Sequence, residues 1–132
     1  MPSRQDEKNR RANNAHADEV IRDRYTKGFA HWSEYRIDGK LPLVRGRRFR
    51  VSGERGWFVF VDAGSERSGD VVNCYGPFTK NSTEIHGNSR SFTADRVTRV
   101  ERCIWTQAGN AESMGERADR LGLNKTEMAV AA

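Results

Sequence analysis

The chain has 132 residues, a formal net charge of +5 and 36% hydrophobic residues, which is typical of one domain. No uninterrupted apolar run, such as residues 57–61, exceeds five residues, whereas a membrane span needs about 18 to 20. We therefore expect no membrane span. Because the first twenty residues lack the apolar stretch of a secretory signal, we expect an intracellular protein. Cys74 and Cys103 allow at most one bridge, and we interpret both as reduced thiols.

The N-terminal region divides into two predicted segments. Residues 1–12 have no large apolar side chain after Met1, which predicts a disordered arm. This arm carries the basic residues Arg4, Lys8, Arg10 and Arg11. Residues 13–28 are predicted to form a helix, because apolar residues recur there at helical spacing, Asn13 or Asn14 can cap its start and Gly28 can end it.

Residues 29–105 change to the alternating pattern of β-strands. The segments predicted to be strands are 31–37, 41–51, 57–61, 70–75, 91–93 and 97–105. Because residues 57–61 are apolar on both faces, we predict that they form the central strand. The connections between them, including polar loops at 62–69 and 79–89, are too short for the crossover helices of a parallel sheet. We predict a mainly β fold, α+β overall: a small antiparallel barrel of the SH3-like or Sm-like kind with a short N-terminal helix and a C-terminal helical segment.

Residues 106–132 are predicted to form that C-terminal helical tail. Met114, Ala118 and Leu121 share one helical face, which Asn110 can cap and Gly122 can end, and residues 124–127 resemble a capping box that opens a last short helix. Parts of this tail also resemble the middle of a helix-turn-helix. We favour a plain helical hairpin packed on the barrel, because the segment is net acidic and its second helix is short.

A basic block lies in the middle of the chain. Phe49 and Val51 alternate with Arg48 and Arg50, which predicts a half-buried strand with arginines along one sheet face. The residues that we expect to bind phosphate groups are Arg45, Arg47, Arg48, Arg50 and Arg55, with Arg90 and Arg96 extending the surface. Trp32 and Tyr75 are the aromatic residues that we expect to be available for base stacking. The alternative for this block is a solvated strand edge whose charges discourage aggregation.

Other kinds of site have little support in the sequence. The three histidines are scattered and no cysteine or histidine pair has metal-ligand spacing, so we predict no metal site. No glycine-rich nucleotide loop is present, and the carboxylates are dispersed, so we predict neither a cofactor nor an enzyme. Cys74 and Cys103 fall in predicted strands, where we expect both to act as small apolar core residues.

Two resemblances to known protein families add to these predictions. Residues 43–46, 49–56 and 76–77, together with 90–92, 95–97 and Val100, resemble small uncharacterised proteins of actinobacterial bacteriophages over residues 25–105. This resemblance implies a phage origin and a host-cytoplasm location, and it names no site. Residues 56–60 and 90–97 are similar to the WYL domain of bacterial regulators, which implies an Sm-like barrel.

From these observations we predict a non-enzymatic protein that binds nucleic acid through a basic sheet face. The alternative is a protein-interaction module, either a phage structural component or a factor that binds a host protein.

Overall fold

The computed structural model describes residues 3–79, 88–105 and 111–124. Within these ranges the chain forms two helices, α1 and α2, one sheet of six strands, β1 to β6, and a 3-10 turn, Ala94–Arg96, that precedes β6. The helices are α1 Arg4–Thr26 and α2 Met114–Arg120. The strands are β1 His31–Trp32, β2 Arg47–Val51, β3 Trp57–Glu66, β4 Gly69–Phe78, β5 Asn88–Thr93 and β6 Val97–Ile104.

The start of α1 corrects the prediction of a disordered arm over residues 1–12, because the helix already begins at Arg4. Ser3 forms a capping box with Asp6: the Ser3 hydroxyl accepts from the Asp6 backbone N–H at 3.1 Å, and Asp6 in turn accepts from the Ser3 N–H. The residues that follow are mostly good helix formers and continue without a break into the packed part of the helix. The predicted end is confirmed to within two residues, since Gly28 follows with a positive φ of 89°.

The sheet is antiparallel, with the strand order β5-β4-β3-β2-β6 and β1 paired to β3. This confirms a mainly β fold with a helix at each end. The pairings between described strands do not join β5 to β6, so the sheet is not closed and a barrel is not confirmed. β3 lies at the centre, as the run of residues 57–61 predicts, and pairs with β2 along its first half and with β1 along its second half.

The strand boundaries differ from the predicted ones mainly around the β3–β4 hairpin. The region 62–69 is not a loop, because β3 continues to Glu66 and pairs along this length with β4. The polar residue Asp62 stays in the strand because its carboxylate accepts a 2.7 Å hydrogen bond from the Asn73 amide across the ladder. β4 likewise passes through Gly76 and Pro77, where its end was predicted, and reaches Phe78. Of the predicted loop 79–89, residues 80–87 lie outside the described part.

The sheet has two faces with different cores. The first face carries the larger cluster, whose fully buried side chains include Tyr35, Leu43, Phe49, Phe58, Phe60, Val72 and Cys74. The second face carries a smaller cluster of Trp57, Val59 and Phe78, with the partly buried Tyr75 and Trp105 packed against it. Phe49 and Val51 both belong to the first cluster, which confirms the alternation predicted for β2.

The helix α2 is held at its start and its end by local signals. Ser113, not the predicted Asn110, caps it through a box with Glu116, and Asn110 itself lies outside the described residues. Gly122 ends it with a positive φ of 69°, as predicted. The last helix predicted from residues 124–127 falls, from position 125 onward, outside the described part of the chain.

Polar contacts dock α2 on β3 and α1 on α2. The Gly115 N–H donates to Asp62 Oδ2 at 3.1 Å, which fixes the start of α2 on β3. The buried Arg117 guanidinium donates to Asp18 Oδ1 of α1 at 2.6 Å, and Arg120 reaches the same oxygen at 2.8 Å. The two arginines hold the pKa of the Asp18 carboxyl below its ordinary value, chiefly through these hydrogen bonds.

Candidate nucleic-acid interface

Arg48 and Arg50 share one carboxylate on the second face of the sheet. Arg48 pairs with Val59 of the second cluster across the β2–β3 ladder, so it lies on that cluster's face, and Arg50 follows two residues later on the same face. Their Nε atoms lie 3.2 Å and 3.7 Å from the two oxygens of Glu101 on β6. The Arg50 side chain is 46% exposed and Glu101 only 18%, so the pair presents guanidinium groups outward.

Arg99 adds a third guanidinium group to this face. It lies directly opposite Arg50 in the β2–β6 ladder and is exposed. Cross-strand neighbours on one face approach to about 5 Å, and like charges at such positions repel one another. Arg48, Arg50 and Arg99 therefore concentrate three positive charges around the single carboxylate of Glu101, an arrangement suited to binding an anion.

Aromatic rings support these arginines. The Arg48 guanidinium lies 3.7 Å from the centroid of the Trp57 ring, which is the distance of a stacked cation–π contact. Trp57 in turn packs 4.9 Å from Phe78 and 5.3 Å from the half-buried Trp105. We call the surface formed by Arg48, Arg50, Arg99, Glu101, Trp57, Tyr75 and Trp105 the arginine–aromatic face.

Two of the arginines predicted for the basic face are used inside the fold instead. Arg45 forms an ion pair with Glu116 of α2 and donates to the Ala111 carbonyl at 3.0 Å. Arg47 donates to the Pro42 carbonyl at 2.7 Å. Arg48 and Arg50 share one face, as their alternation predicts, whereas Arg45 and Arg47, which we expected to bind phosphate beside them, turn toward the segments that flank β2.

Arg90 and Arg96 lie on the opposite side of the sheet. Their guanidinium groups are 4.9 Å and 5.1 Å from the ring of Phe92, a residue of the first cluster. Arg90 forms an ion pair with Glu54, and Arg96 donates to the Ser52 carbonyl at 2.8 Å. They lie over the rim of the first cluster. Contrary to the prediction, they do not extend the arginine–aromatic face.

The remaining predicted site residues, Tyr75, Trp32 and Arg55, lie in different parts of the molecule. Tyr75 lies on the arginine–aromatic face, half-buried against Trp57 and its neighbours. Trp32 pairs with Ala63 and packs on the first cluster, 6.0 Å from Tyr35, so the two predicted stacking residues lie on opposite faces. Arg55 is exposed in the turn between β2 and β3.

Sequence reasoning missed four members of this face: Trp57, Arg99, Glu101 and Trp105. Alternation in the predicted strand 97–105 places Arg99 and Glu101 on one side. That signal does not reveal which strand lies beside β6. The contact depends on pairing across nearly fifty positions of sequence, which no local pattern encodes.

The described residues offer little for other chemistry. Burial raises the pKa of the Cys74 thiol to about 12, which leaves it protonated and unreactive at neutral pH. Cys103 is exposed, which corrects its prediction as a core residue. Within the described ranges no three His, Cys, Asp or Glu side chains are grouped to hold a metal ion, and no helix is both long and apolar enough to cross a membrane.

Comparison with known proteins gave no match: no protein-family model, no curated protein and no solved structure is significantly similar to this chain.

Proposed function

We propose that this protein binds nucleic acid, without catalysing a reaction, through the arginine–aromatic face. The observation that supports the proposal best is the grouping of Arg48, Arg50 and Arg99 around one carboxylate, Glu101. Arginine suits this role because its planar guanidinium group makes paired hydrogen bonds to phosphate oxygens. We also propose that the protein acts in the cytoplasm of an infected host, which the resemblance to actinobacteriophage proteins implies.

The aromatic part of the face gives the arginines a fixed geometry. Stacking on the buried Trp57 restrains Arg48, so less side-chain freedom is lost when it meets a phosphate. Arg50 and Arg99 are the more exposed partners and carry the main charge outward. If about three phosphates are contacted, the logarithm of affinity should fall against the logarithm of salt concentration with a slope near −2 to −3.

The small SH3-like or Sm-like barrel is part of the same proposal. Its support is that β3, ten residues long, pairs with β2 along its first half and with β1 along its second half, as a strand shared between two layers does. Small open barrels of this general kind expose one strand face to an oligonucleotide.

Fluorescence anisotropy with labelled oligonucleotides tests the proposal with one variant that should weaken binding and one that should strengthen it. The double variant Arg50→Gln/Arg99→Gln should lose about tenfold or more in affinity at 50 mM salt, because two phosphate contacts are removed. The variant Glu101→Gln should instead gain affinity, about threefold or more, because it frees Arg48 and Arg50 from their carboxylate.

The matched control is Arg36→Gln/Arg67→Gln, which removes the same charge at two exposed positions away from this face. It should change affinity less than threefold. The proposal is wrong if the wild-type protein does not bind at low salt, or if the control weakens binding as much as the double variant does.

A second candidate is the protein-interaction module. The observation that favours it is Ile104, an apolar side chain that is 47% exposed at the end of β6 beside Trp105. A host or phage protein that binds stoichiometrically after nuclease treatment, and is lost in an Ile104→Ser variant, would support this candidate over nucleic acid.

A further inference from the structure

We propose that the N-terminal half of α1 is a preformed helix that docks against double-stranded DNA. This inference rests on the proposed function, since it extends the nucleic-acid contact beyond the arginine–aromatic face. It concerns residues 3–16, which are predicted from sequence to be mostly a disordered arm and prove to be helical.

Within the described part of the chain, this half of α1 has little contact with the rest of the protein. The helix has 23 residues and is therefore roughly 34 Å long, yet Ile21 is its only buried residue. Every residue from Ser3 to His16 is exposed. Near the end of this half, the Arg117 guanidinium donates to the Asn14 carbonyl at 3.3 Å. Further contacts with the body come from the other half, where Asp18 binds Arg117 and the Tyr25 hydroxyl donates to the His31 carbonyl at 2.8 Å.

The exposed half carries a basic stripe. Arg4, Lys8 and Arg11 are spaced by four and three residues, which places them along one side of the helix over about 10 Å. Arg22 lies on the same side further along, five turns from Arg4. Among the described residues no ion pair joins the three stripe residues to a carboxylate, so their charges are available to a partner.

The composition of this half argues against an anionic membrane as the partner. Helices that lie on membranes insert a face of large apolar side chains. Residues 3–16 contain no apolar residue larger than alanine. The binding must therefore come from charge and shape alone, which are the terms that govern contact with a nucleic-acid backbone.

The shape of the element favours duplex DNA over other nucleic acids. A helix with its side chains is about 10 to 12 Å across and fits the major groove of B-form DNA, which is about 12 Å wide. The major groove of duplex RNA is too narrow and deep for it. A rigid row of charges also matches the regular phosphates of a duplex better than the variable path of a single strand.

The helices and the arginine–aromatic face lie on the same side of the sheet. Asp62, which holds the start of α2, pairs with Asn73, and Asn73 lies two residues before Tyr75 on the same face of β4. α2 therefore packs on the second face, and α1 is attached to α2 through the Asp18–Arg117 contact. The helix that carries the basic stripe is therefore attached to the same face of the sheet as the arginine–aromatic face.

The experiment compares a 20-base-pair DNA duplex, one of its single strands and the RNA duplex of the same sequence by anisotropy. The stripe variant Arg4→Gln/Lys8→Gln/Arg11→Gln should lose about tenfold or more in affinity for the DNA duplex, with single-strand affinity within twofold of wild type. Its salt slope for the duplex should be smaller by about 2 to 3, because up to three phosphate contacts are gone.

Two further variants keep the result decisive. The control Arg10→Gln/Arg36→Gln/Arg67→Gln removes equal charge, with Arg10 on the same helix but off the stripe, and should weaken duplex binding less than threefold. The charge-preserving variant Arg4→Lys/Lys8→Arg/Arg11→Lys should bind like wild type. Circular dichroism should report unchanged helix content in all three, since glutamine, lysine and arginine are all good helix formers.

The outcomes separate this inference from the proposed function. If the stripe variant and its control weaken duplex binding equally while Arg50→Gln/Arg99→Gln still abolishes it, the helix inference is overturned and the proposed function stands. Equal losses for single strand and duplex, tight binding to the RNA duplex, or stripe-dependent binding only to phosphatidylserine vesicles also overturn it. If wild type binds none of the oligonucleotides, the proposed function fails first.

Discussion

The two faces of the sheet are built from the same strands, but one carries a large apolar core and the other a charged surface. On the first face, Phe58 and Phe60 of β3 join a continuous cluster, in which Phe58 packs edge to face with Phe92 at a ring-centroid distance of 4.9 Å. On the second face, Trp57 and Val59 of the same strand lie beneath arginines, with only a small apolar cluster around them. Alternation along one strand thus supplies a closed core and a charged surface together.

The comparison of the two faces predicts that replacing a phenylalanine by alanine lowers the free energy of unfolding by different amounts on each face. Phe60→Ala on the first face should lower the free energy of unfolding by about 3 to 5 kcal/mol, because the fully buried side chain leaves a cavity. Phe78→Ala on the second face should lower the free energy of unfolding by only about 2 kcal/mol, because the half-buried Tyr75 and Trp105 can move into the space. Urea unfolding measures both, and equal costs would contradict the distinction.

A second prediction concerns the covered end of the second face. Asp62→Ala removes a buried carboxylate that accepts from Gly115 and Asn73, and it should cost about 2 to 3 kcal/mol because both donors lose their partner. Hydrogen exchange should show faster opening of α2 than of β3. Asp62→Asn keeps one acceptor oxygen and should lie between the variant and wild type. Uniform destabilisation of the whole sheet would show that Asp62 does not act through α2.

A third prediction uses pH. His31 is buried where α1 meets β3, and burial, with the charge of Arg24, lowers its pKa below the ordinary 6.5 despite the opposing carboxylates of Asp62 and Glu66. The unfolded chain therefore binds a proton near pH 6.5 that the folded chain binds only at lower pH, so stability should fall as pH drops below about 6.5.

Denaturation curves at pH 7.5, 6.5 and 5.5 measure that fall. The variant His31→Gln should flatten the dependence in this range. A wild-type protein whose stability is constant between these values would show that His31 does not titrate differently in the two states.

The smallest expected effect is a difference between the two thiols. Exposed Cys103 should react with a thiol reagent in the native protein at pH 8, whereas Cys74, buried and with its pKa raised to about 12, should react only after unfolding. A Cys103→Ser variant should then show no fast reaction. Two fast-reacting thiols in wild type would mean that the first cluster opens readily.

Local patterns predicted the strands well and the surface poorly. Alternation identified β2, because side-chain period follows directly from backbone geometry, and the apolar run of residues 57–61 identified the central strand β3. These patterns could not decide that Arg45 turns to Glu116 or that Arg90 turns to Glu54, because these partners are distant in sequence. The disordered arm was inferred from missing apolar residues, whereas a capping box and good helix formers suffice to extend a helix that is anchored elsewhere.

In the proposed interface, the carboxylate of Glu101 competes with phosphate groups for Arg48 and Arg50. This carboxylate already occupies the place beside Arg48 and Arg50 that a phosphate oxygen would take. Each phosphate that enters must exchange with an internal anion, so the net gain per contact is reduced and the reverse exchange assists departure. A surface built this way favours brief, repeated encounters along a polyanion over one long-lived complex.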